Sequence, residues 1–488
     1  MIWDAVRRRD SLRHEGRERT WRSRASEWKS WLGRSMAVLA CIALASCASL
    51  ATKAERRGGD AVTQWTLIGD YYGNPAANWR TLAVMQMAMH DALNAAHPVY
   101  NRWWPAAAGE PGADKANPEV AMAAAADEVL ALLHPDRDAE TAAAFATILA
   151  RYPDDAGKAA GIALGKAIGR AAVVRRSGDG FDEVRFFHGN DMPGRWRPTP
   201  TLFATSPTNG IRPFLFMAVS DVPPLPPPAL ASPEYLKELA ETRSLGALHS
   251  TERTADETAD AFFWAYQTSQ RGFVDLAVRL LAAHRPLGGV YAEARIMAQL
   301  TAALADSAII TWNEKARYSF WRPITAIRAQ SADDVAWTPL VETPPFPEYP
   351  SGHATDCYVG AGVLETAFPN LPAPVVYLSS AHMEPLGGGA PLPPTIYGMG
   401  QHAQSDLGEA PGGSERRFSN FGAAAENCAR SRIWAGAHFS AAEVESKRLA
   451  NIIVHQALTT GGSVPATVAP TASTGPTQAE RGSPVRLE

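Results

Sequence analysis

The chain has 488 residues, of which 46% are hydrophobic, 20% charged and 9% aromatic. This length provides for two or three domain-sized cores, and the composition is globular rather than disordered. Four cysteines exclude a disulfide-dense scaffold, and a net charge of −4 gives no support for nucleic-acid binding.

The N-terminal segment is typical of a targeting signal. Residues 1–46 carry ten Lys or Arg and five Asp or Glu, and an apolar run of about a dozen residues ends at Cys47. The run is too short to span a bilayer. Because Leu44-Ala-Ser-Cys47 resembles a bacterial lipobox, Cys47 is a candidate lipidation site, with an ordinary signal peptide as the alternative. We expect residues 1–47 to direct export, giving a periplasmic protein or a lipoprotein that reaches the membrane through this anchor alone.

Helix is the dominant pattern along the rest of the chain, where apolar residues recur at spacings of three and four. Asn117 and Pro118 are typical of a helix start, and glycines four residues apart allow the helix over 155–175 to pack closely on a neighbour. No convincing strand alternation is present, so the sequence predicts an all-α helical bundle. The predicted helices cover residues 79–96, 118–134, 138–151, 155–175, 232–244, 255–267, 291–319, 419–434 and 441–458.

Pro- and Gly-rich segments divide this helical pattern. They cover residues 186–230, 339–350 and 385–414. The expected organisation is an N-terminal helical region over residues 60–230 that ends in a Pro-rich connection, a C-terminal helical domain over 231–460, and a disordered tail over 461–488.

Three short segments carry cations and histidines. Lys315 and Arg322 are seven residues apart, which places both on nearly one face of a helix that Pro323 can end. Pro350-Ser-Gly-His353 predicts a helix start with Ser351 near the N-cap, whose free N–H groups favour an anion. In isolation, the first segment is better explained as a solvated basic face, and the second is equally well explained as a capped helix with a surface histidine.

The third segment, Ser431-Arg432-Ile-Trp-Ala-Gly-Ala-His438, adds another guanidinium and another imidazole. Together with Lys315 and Arg322 it gives a local charge of +3, which matches a tetrahedral oxyanion such as phosphate or vanadate. The histidines then remain to ligate or attack the central atom and to move a proton.

In this order, the motifs Lys-x6-Arg-Pro, Pro-Ser-Gly-His and Ser-Arg-x5-His resemble the signature of the superfamily that unites vanadium-dependent haloperoxidases and type 2 phosphatidic acid phosphatases (PAP2). The motifs span residues 312–438. Similarity to the bacterial haloperoxidase-like branch, including the segment 88–94, extends over roughly residues 65–460. The resemblance implies an all-helical fold built around four-helix bundles, with the catalytic domain at residues 231–460.

The resemblance also implies roles for individual residues. His438 would ligate vanadium or be the phosphatase nucleophile, and His353 would be the acid–base group on the opposite side. Trp312 and Phe346 match aromatic halide-side positions of fungal chloroperoxidases, although ordinary core packing explains them equally well. The residues that would hold the oxyanion are Lys315, Arg322, Ser351, the backbone N–H of Gly352, and Arg432.

Two departures from the family pattern affect these expectations. Ala442 occupies the position, four after His438, where many members have an Asp that orients the imidazole, and Glu443 follows it. The interval between His353 and Ser431 is also long, which the 385–414 segment explains; His382 and His402, in or near that segment, are expected at the surface.

A disulfide is a further expectation from the resemblance. If His353 and Arg432 meet one oxyanion, Cys357 and Cys428 each lie one helical turn away, on helices that enter the same site. We hypothesise that they form a disulfide in an oxidising compartment, with two buried thiols as the alternative.

The leading functional hypothesis is a vanadate-dependent haloperoxidase that uses hydrogen peroxide to oxidise halide to hypohalous acid, with Lys315 polarising the bound peroxide. The alternative is a soluble periplasmic acid phosphatase that hydrolyses a phosphate ester through phosphohistidine at His438, with phosphate in place of vanadate. A third interpretation, favoured by Ala442, is a catalytically inactive lipoprotein that binds phosphate or a partner.

Overall fold

A computed structural model describes residues 61–72, 78–105, 110, 112–183, 185–198, 210–265, 269–378 and 415–462. The predicted targeting segment with Cys47, the 385–414 segment with His402, and nearby His382 lie outside these ranges. So does nearly all of the predicted tail.

Thirteen α-helices account for most of the described residues, and this confirms the all-α prediction. None of them combines the length and apolar character of a membrane-spanning helix. In chain order they are α1 (Ala61–Tyr72), α2 (Asn78–Ala96), α3 (Pro118–Leu133), α4 (Asp138–Leu149), α5 (Ala156–Arg175), α6 (Pro233–Leu245), α7 (Ala255–Ala265), α8 (Ser269–Ala283), α9 (Gly289–Tyr318), α10 (Pro323–Arg328), α11 (Gly352–Ala367), α12 (Phe421–Trp434) and α13 (Ser440–Thr459).

Two helical groups share α9. On one side α9 packs against α2, which lies among α3 and α5; on the other side it packs against α11 and α13, and α11 also contacts α12. The 30 residues of α9 include a continuous buried stretch from Ile296 to Thr311, which explains how one helix serves both groups.

The glycine spacing in α5 has the predicted effect. A Cβ added at Gly161 would lie 2.8 Å from the carbonyl oxygen of Asn117, and one at Gly169 would lie 2.7 Å from that of Ala125. Neither distance is tolerated, so these glycines allow α5 to lie directly against the backbone of α3. The start of α3 is also as predicted, because Asn117 accepts a hydrogen bond from the N–H of Val120.

The absence of a strand pattern was misleading in one place. Val375–Leu378 (β1) and Glu415–Phe418 (β2) pair antiparallel, with Val375 opposite Phe418. Each strand has only four residues, which is too few for an alternating pattern to be recognised in the sequence. Tyr377 and Phe418 of these strands pack on Trp264 of α7. Helices α1, α8 and the short α10 were also absent from the predicted set.

Candidate oxyanion site

The motif residues meet where several helices begin or end. Lys315 lies in the last turn of α9, Arg322 caps the N-terminus of α10, Arg432 lies in the last turn of α12, and His438 lies just before α13. Their charges act on the same imidazole: Lys315, Arg322, Arg432 and His353 all influence the ionisation of His438. The structure therefore brings together the cations and both histidines that the sequence singled out.

Lys315 and Arg322 do not share a helix face, so that prediction is wrong. Helix α9 ends at Tyr318, and Ser319 adopts the left-handed conformation with φ 45°. Its carbonyl accepts the N–H of Trp196 at 2.7 Å. Pro323 then disfavours a helical conformation at Arg322, which is extended instead. This turn directs Arg322 into the interior, where it is fully buried.

The two guanidinium groups have unused hydrogen-bond donors. Arg322 donates from Nε to the carbonyl of Phe346 and from Nη1 to that of Ala437, both at 2.8 Å. Its Nη2, and all three side-chain nitrogens of Arg432, are buried without an acceptor among the described residues. Burial lowers the pKa of Arg322 to about 9 and that of Arg432 to about 10, so both stay protonated at neutral pH.

Buried donors without acceptors are costly, and here four such nitrogens belong to two cations. A tetrahedral oxyanion supplies both the missing acceptors and the missing negative charge. The donor set therefore fits vanadate or phosphate.

Lys315 has a different environment from the arginines. It is fully buried, and Nζ donates to the carbonyls of Pro347, Glu348 and Pro350 at 3.0, 2.8 and 2.6 Å. Burial and then Arg322 lower its pKa, whereas three carbonyl acceptors favour the ammonium form. These bonds use all three ammonium protons, so direct contact between Lys315 and an oxyanion stays a prediction and requires one carbonyl to be released.

The start of α11 faces the same site. Ser351 is the N-cap, as predicted, and accepts the N–H of Ala354 at 3.4 Å. A Cβ added at Gly352 would meet nothing within 4 Å, so the space on that side of its Cα is open. His353 follows in the first turn and is half-buried. This arrangement leaves room for an anion at the helix N-terminus.

His438 is held by a carboxylate that the sequence analysis did not assign. Its Nδ1 lies 2.8 Å from Oε1 of Glu348, and the same oxygen accepts the backbone N–H of Phe439 at 3.1 Å. Its Nε2 lies 3.1 Å from Nη1 of Arg322. A guanidinium only donates, so Nε2 must accept and the proton must be on Nδ1.

The ionisation of this pair is governed by burial. Burial, followed by the positive charges of Arg322 and Lys315, lowers the pKa of His438 well below 6.5, so its imidazole is neutral at neutral pH. Burial raises the pKa of Glu348 to about 8, against the opposing effect of Lys315. Glu443 is also buried, and burial raises its pKa, but its Oε1 has no hydrogen-bond partner among the described residues.

An aromatic wall lies beside the cations. The rings of Trp312 and Phe346 are 4.7 Å apart, and Phe346 lies under the guanidinium of Arg322 at 4.9 Å. Phe187, which the sequence analysis did not single out, stacks on the other side of Trp312 at 5.8 Å. Trp312 and Phe346 are both half-buried, and Phe346 lies next to Arg322, but the assignment of this pair to halide stays a prediction.

A disulfide joins the helices behind the site. Cys357 of α11 and Cys428 of α12 are bonded across 71 residues of sequence, as hypothesised, and both are fully buried. The bond lies one turn from His353 and from Arg432, and it therefore restrains the two helices that present them.

Comparisons with known proteins give one matching family model and a curated relative. Residues 295–463 match the family model described as the VCPO second helical-bundle domain. The vanadium chloroperoxidase of Curvularia inaequalis is 31% identical over 135 residues, which cover 22% of this chain and 22% of that enzyme. The aligned part is thus less than a quarter of the fungal protein.

Solved structures show the same fold over most of the chain. A bacterial vanadium-dependent iodoperoxidase is 21% identical, covers 83% of this chain and 96% of its own, and superposes with a TM-score of 0.62. An apo-type bacterial vanadium-dependent chloroperoxidase is 16% identical over 78% of this chain and 91% of its own, with a TM-score of 0.58.

Proposed function

From the premise that this chain belongs to the vanadium-dependent haloperoxidase superfamily, we propose that it is a vanadate-dependent haloperoxidase. The observation that carries the proposal is the set of four buried, acceptor-less guanidinium nitrogens beside the Nε2 lone pair of His438. Vanadate in this position would supply a Lewis acid that activates hydrogen peroxide without a required change of oxidation state.

The chain's own residues provide the remaining functions. Arg322 and Arg432 would hold the oxygens of the anion, and neutral His438 would offer its Nε2 lone pair to the central atom once the hydrogen bond from Nη1 of Arg322 is released. Oxidation of halide consumes hydrogen peroxide, halide and one proton, and releases hypohalous acid and water. His353 would deliver that proton; its partial burial and its electrostatic interaction with His438 support this role.

The aromatic wall favours halide as the second substrate. Trp312 and Phe346 place apolar ring surface beside the cations, with Phe346 in contact with both Lys315 and Arg322. Removing a large, weakly hydrated halide from water costs little free energy, and the nearby cations supply the opposite charge. A phosphate ester needs no such wall, which is why we favour the peroxidase over the phosphatase.

A paired assay tests the proposal. Protein lacking residues 1–47 is assayed for bromination of a phenol dye with peroxide, bromide and added vanadate, and in parallel for hydrolysis of an aryl phosphate. We expect vanadate-dependent bromination that His438→Ala abolishes. Phosphatase turnover inhibited by vanadate would instead establish the alternative, and a loss of both activities with retained oxyanion binding would indicate a binding protein.

We further propose that the protein acts after export. The Cys357–Cys428 disulfide supports this, because such bonds persist in oxidising compartments. Labelling of the full-length protein with a radioactive fatty acid tests the anchor. Label lost in Cys47→Ser is expected, and a mature, unlabelled protein in the periplasm would replace the anchor with an ordinary signal peptide.

A further inference from the structure

The orientation of His438 needs an explanation, because the neighbouring helix does not provide one. Ala442, on the first turn of α13, has no polar side-chain atom and is buried in an apolar cluster with Phe439, Phe320 and Tyr349. Glu443, the next residue, interacts electrostatically with Arg432, and its Oε1 has no hydrogen-bond partner among the described residues. The imidazole is instead held from a segment 90 residues earlier in the chain.

Glu348 binds both the side chain and the backbone of this region. Its Oε1 is 2.8 Å from Nδ1 of His438 and 3.1 Å from the backbone nitrogen of Phe439. Glu348 is fully buried, so water does not compete for these contacts. One oxygen thus fixes the imidazole and the start of α13 together.

Glu348 is itself held at several points. Lys315 donates to the carbonyls of Pro347, Glu348 and Pro350, and the N–H of Glu348 donates to the carbonyl of Phe320 at 3.0 Å. The hydroxyl of Tyr349 donates to the carbonyl of Leu225 at 2.8 Å, which ties this segment to the Pro-rich connection. The carboxyl group is therefore in place before any ligand binds.

The hydrogen-bond pattern determines what Glu348 does to the imidazole. Oε1 of Glu348 accepts a hydrogen bond from the backbone N–H of Phe439. Its second lone pair is used when it also accepts a hydrogen bond from an N–H at Nδ1 of His438. Arg322 donates to Nε2, so both ends of the ring favour the same tautomer. With Nδ1 protonated, the Nε2 lone pair points toward Arg322 and the anion site.

We propose that Glu348 is the positioning residue that fixes His438 as its Nδ1–H tautomer and aims Nε2 at the bound oxyanion. This inference deepens the proposed function and rests on it for the identity of the anion. The tautomer itself does not depend on that function, because it is a property of the ligand-free protein. Lys315 supports the same role through the backbone of residues 347–350.

The test combines a spectroscopic signature with binding and turnover. The ring nitrogens of ¹⁵N-histidine-labelled protein are assigned by NMR in the wild type, Glu348→Gln and Glu348→Met. We expect an Nδ1–H, Nε2-bare pattern for His438 in the wild type, retained in Glu348→Gln because the amide oxygen still accepts. In Glu348→Met we expect a mixed or reversed pattern, with orthovanadate affinity and kcat reduced about 10- to 100-fold.

Glu443→Gln is the matched control, since it alters another buried carboxyl near Arg432, and it should leave the His438 pattern unchanged. A wild-type pattern retained in Glu348→Met would overturn the proposal, because the tautomer would then be set without Glu348, and a shifted pattern in Glu443→Gln would contradict it as well. If Glu348→Met does not fold, the wild-type spectrum still decides, because an Nε2–H tautomer there contradicts the role of Glu348. A wild type with the expected tautomer but no bromination would refute the proposed function and leave the positioning role standing.

Discussion

The replacement of Arg432 by methionine separates ligand binding from folding. All three guanidinium nitrogens of Arg432 are buried without a hydrogen-bond acceptor among the described residues, so they make no such bond in the ligand-free fold and are available to an anion. A hydrogen bond to a charged group is worth about 1.5–3 kcal/mol, so the loss of two such bonds costs about 3–6 kcal/mol of binding free energy. The affinity for orthovanadate should therefore fall roughly 10²- to 10⁴-fold.

The same substitution has an opposite effect on the ligand-free protein. A buried charge without a partner is unfavourable, and its replacement by an apolar side chain is often neutral or stabilising, by about 1–4 kcal/mol. We therefore expect the free energy of unfolding of ligand-free Arg432→Met to equal or exceed that of the wild type. Calorimetric titration with vanadate and urea denaturation measure the two effects on the same preparations.

Arg253→Met is the matched control. The Arg253 guanidinium donates to the carbonyls of Leu245, Ala247 and Trp434, so its loss should destabilise the ligand-free protein by about 1–3 kcal/mol. A loss of stability in Arg432→Met equal to that in Arg253→Met would refute this prediction. So would a change of less than about threefold in the vanadate affinity of Arg432→Met.

Three further predictions concern the aromatic wall, the disulfide and a buried carboxyl. Trp312→Ala should lower kcat/KM for bromide up to about tenfold, since aromatic contacts are worth about 0.5–1.5 kcal/mol. The vanadate affinity of the same variant should stay constant, and an unchanged kcat/KM for bromide would exclude the aromatic wall from halide binding. Reduction should add about two daltons to the intact mass, and Cys357→Ala/Cys428→Ala should lose about 2–4 kcal/mol of unfolding free energy in urea; free thiols in the native protein would contradict this. Burial raises the pKa of Glu238, which accepts the N–H of Ala441, to about 7. The native state thus binds more protons than the unfolded state between pH 4.5 and 7, so the contribution of Glu238 to the free energy of unfolding falls as pH rises, by up to about 3 kcal/mol. Glu238→Gln should remove this pH dependence from urea melts, and an identical pH dependence in variant and wild type would refute the prediction.

Local signals in the sequence predicted much of the fold. The N-caps Asn117 and Ser351 were identified from residue type and the following pattern, and both cap as expected. These features depend on contacts within four residues, which a sequence displays directly. The glycine spacing of α5 likewise predicted close packing without identifying α3 as the partner.

The sequence singled out the cations and histidines that the fold brings together, but neither Glu348 nor the internal geometry of the site. The spacing of Lys315 and Arg322 was interpreted as one helix face, whereas the left-handed turn at Ser319 separates them. That turn is stabilised by Trp196, from a segment more than 100 residues away, so no local pattern revealed it. The Glu348–His438 contact has the same character, because it joins two segments that only the folded chain brings together.

The most direct test of this account is a crystal structure of the protein with orthovanadate bound. We predict a bond from vanadium to Nε2 of His438, with Nδ1 still on Glu348 and the vanadate oxygens within hydrogen-bond distance of Arg432 and Nη2 of Arg322. Vanadate bound elsewhere, or bound without contact to Arg432, would contradict the central claim that these buried donors form an oxyanion site.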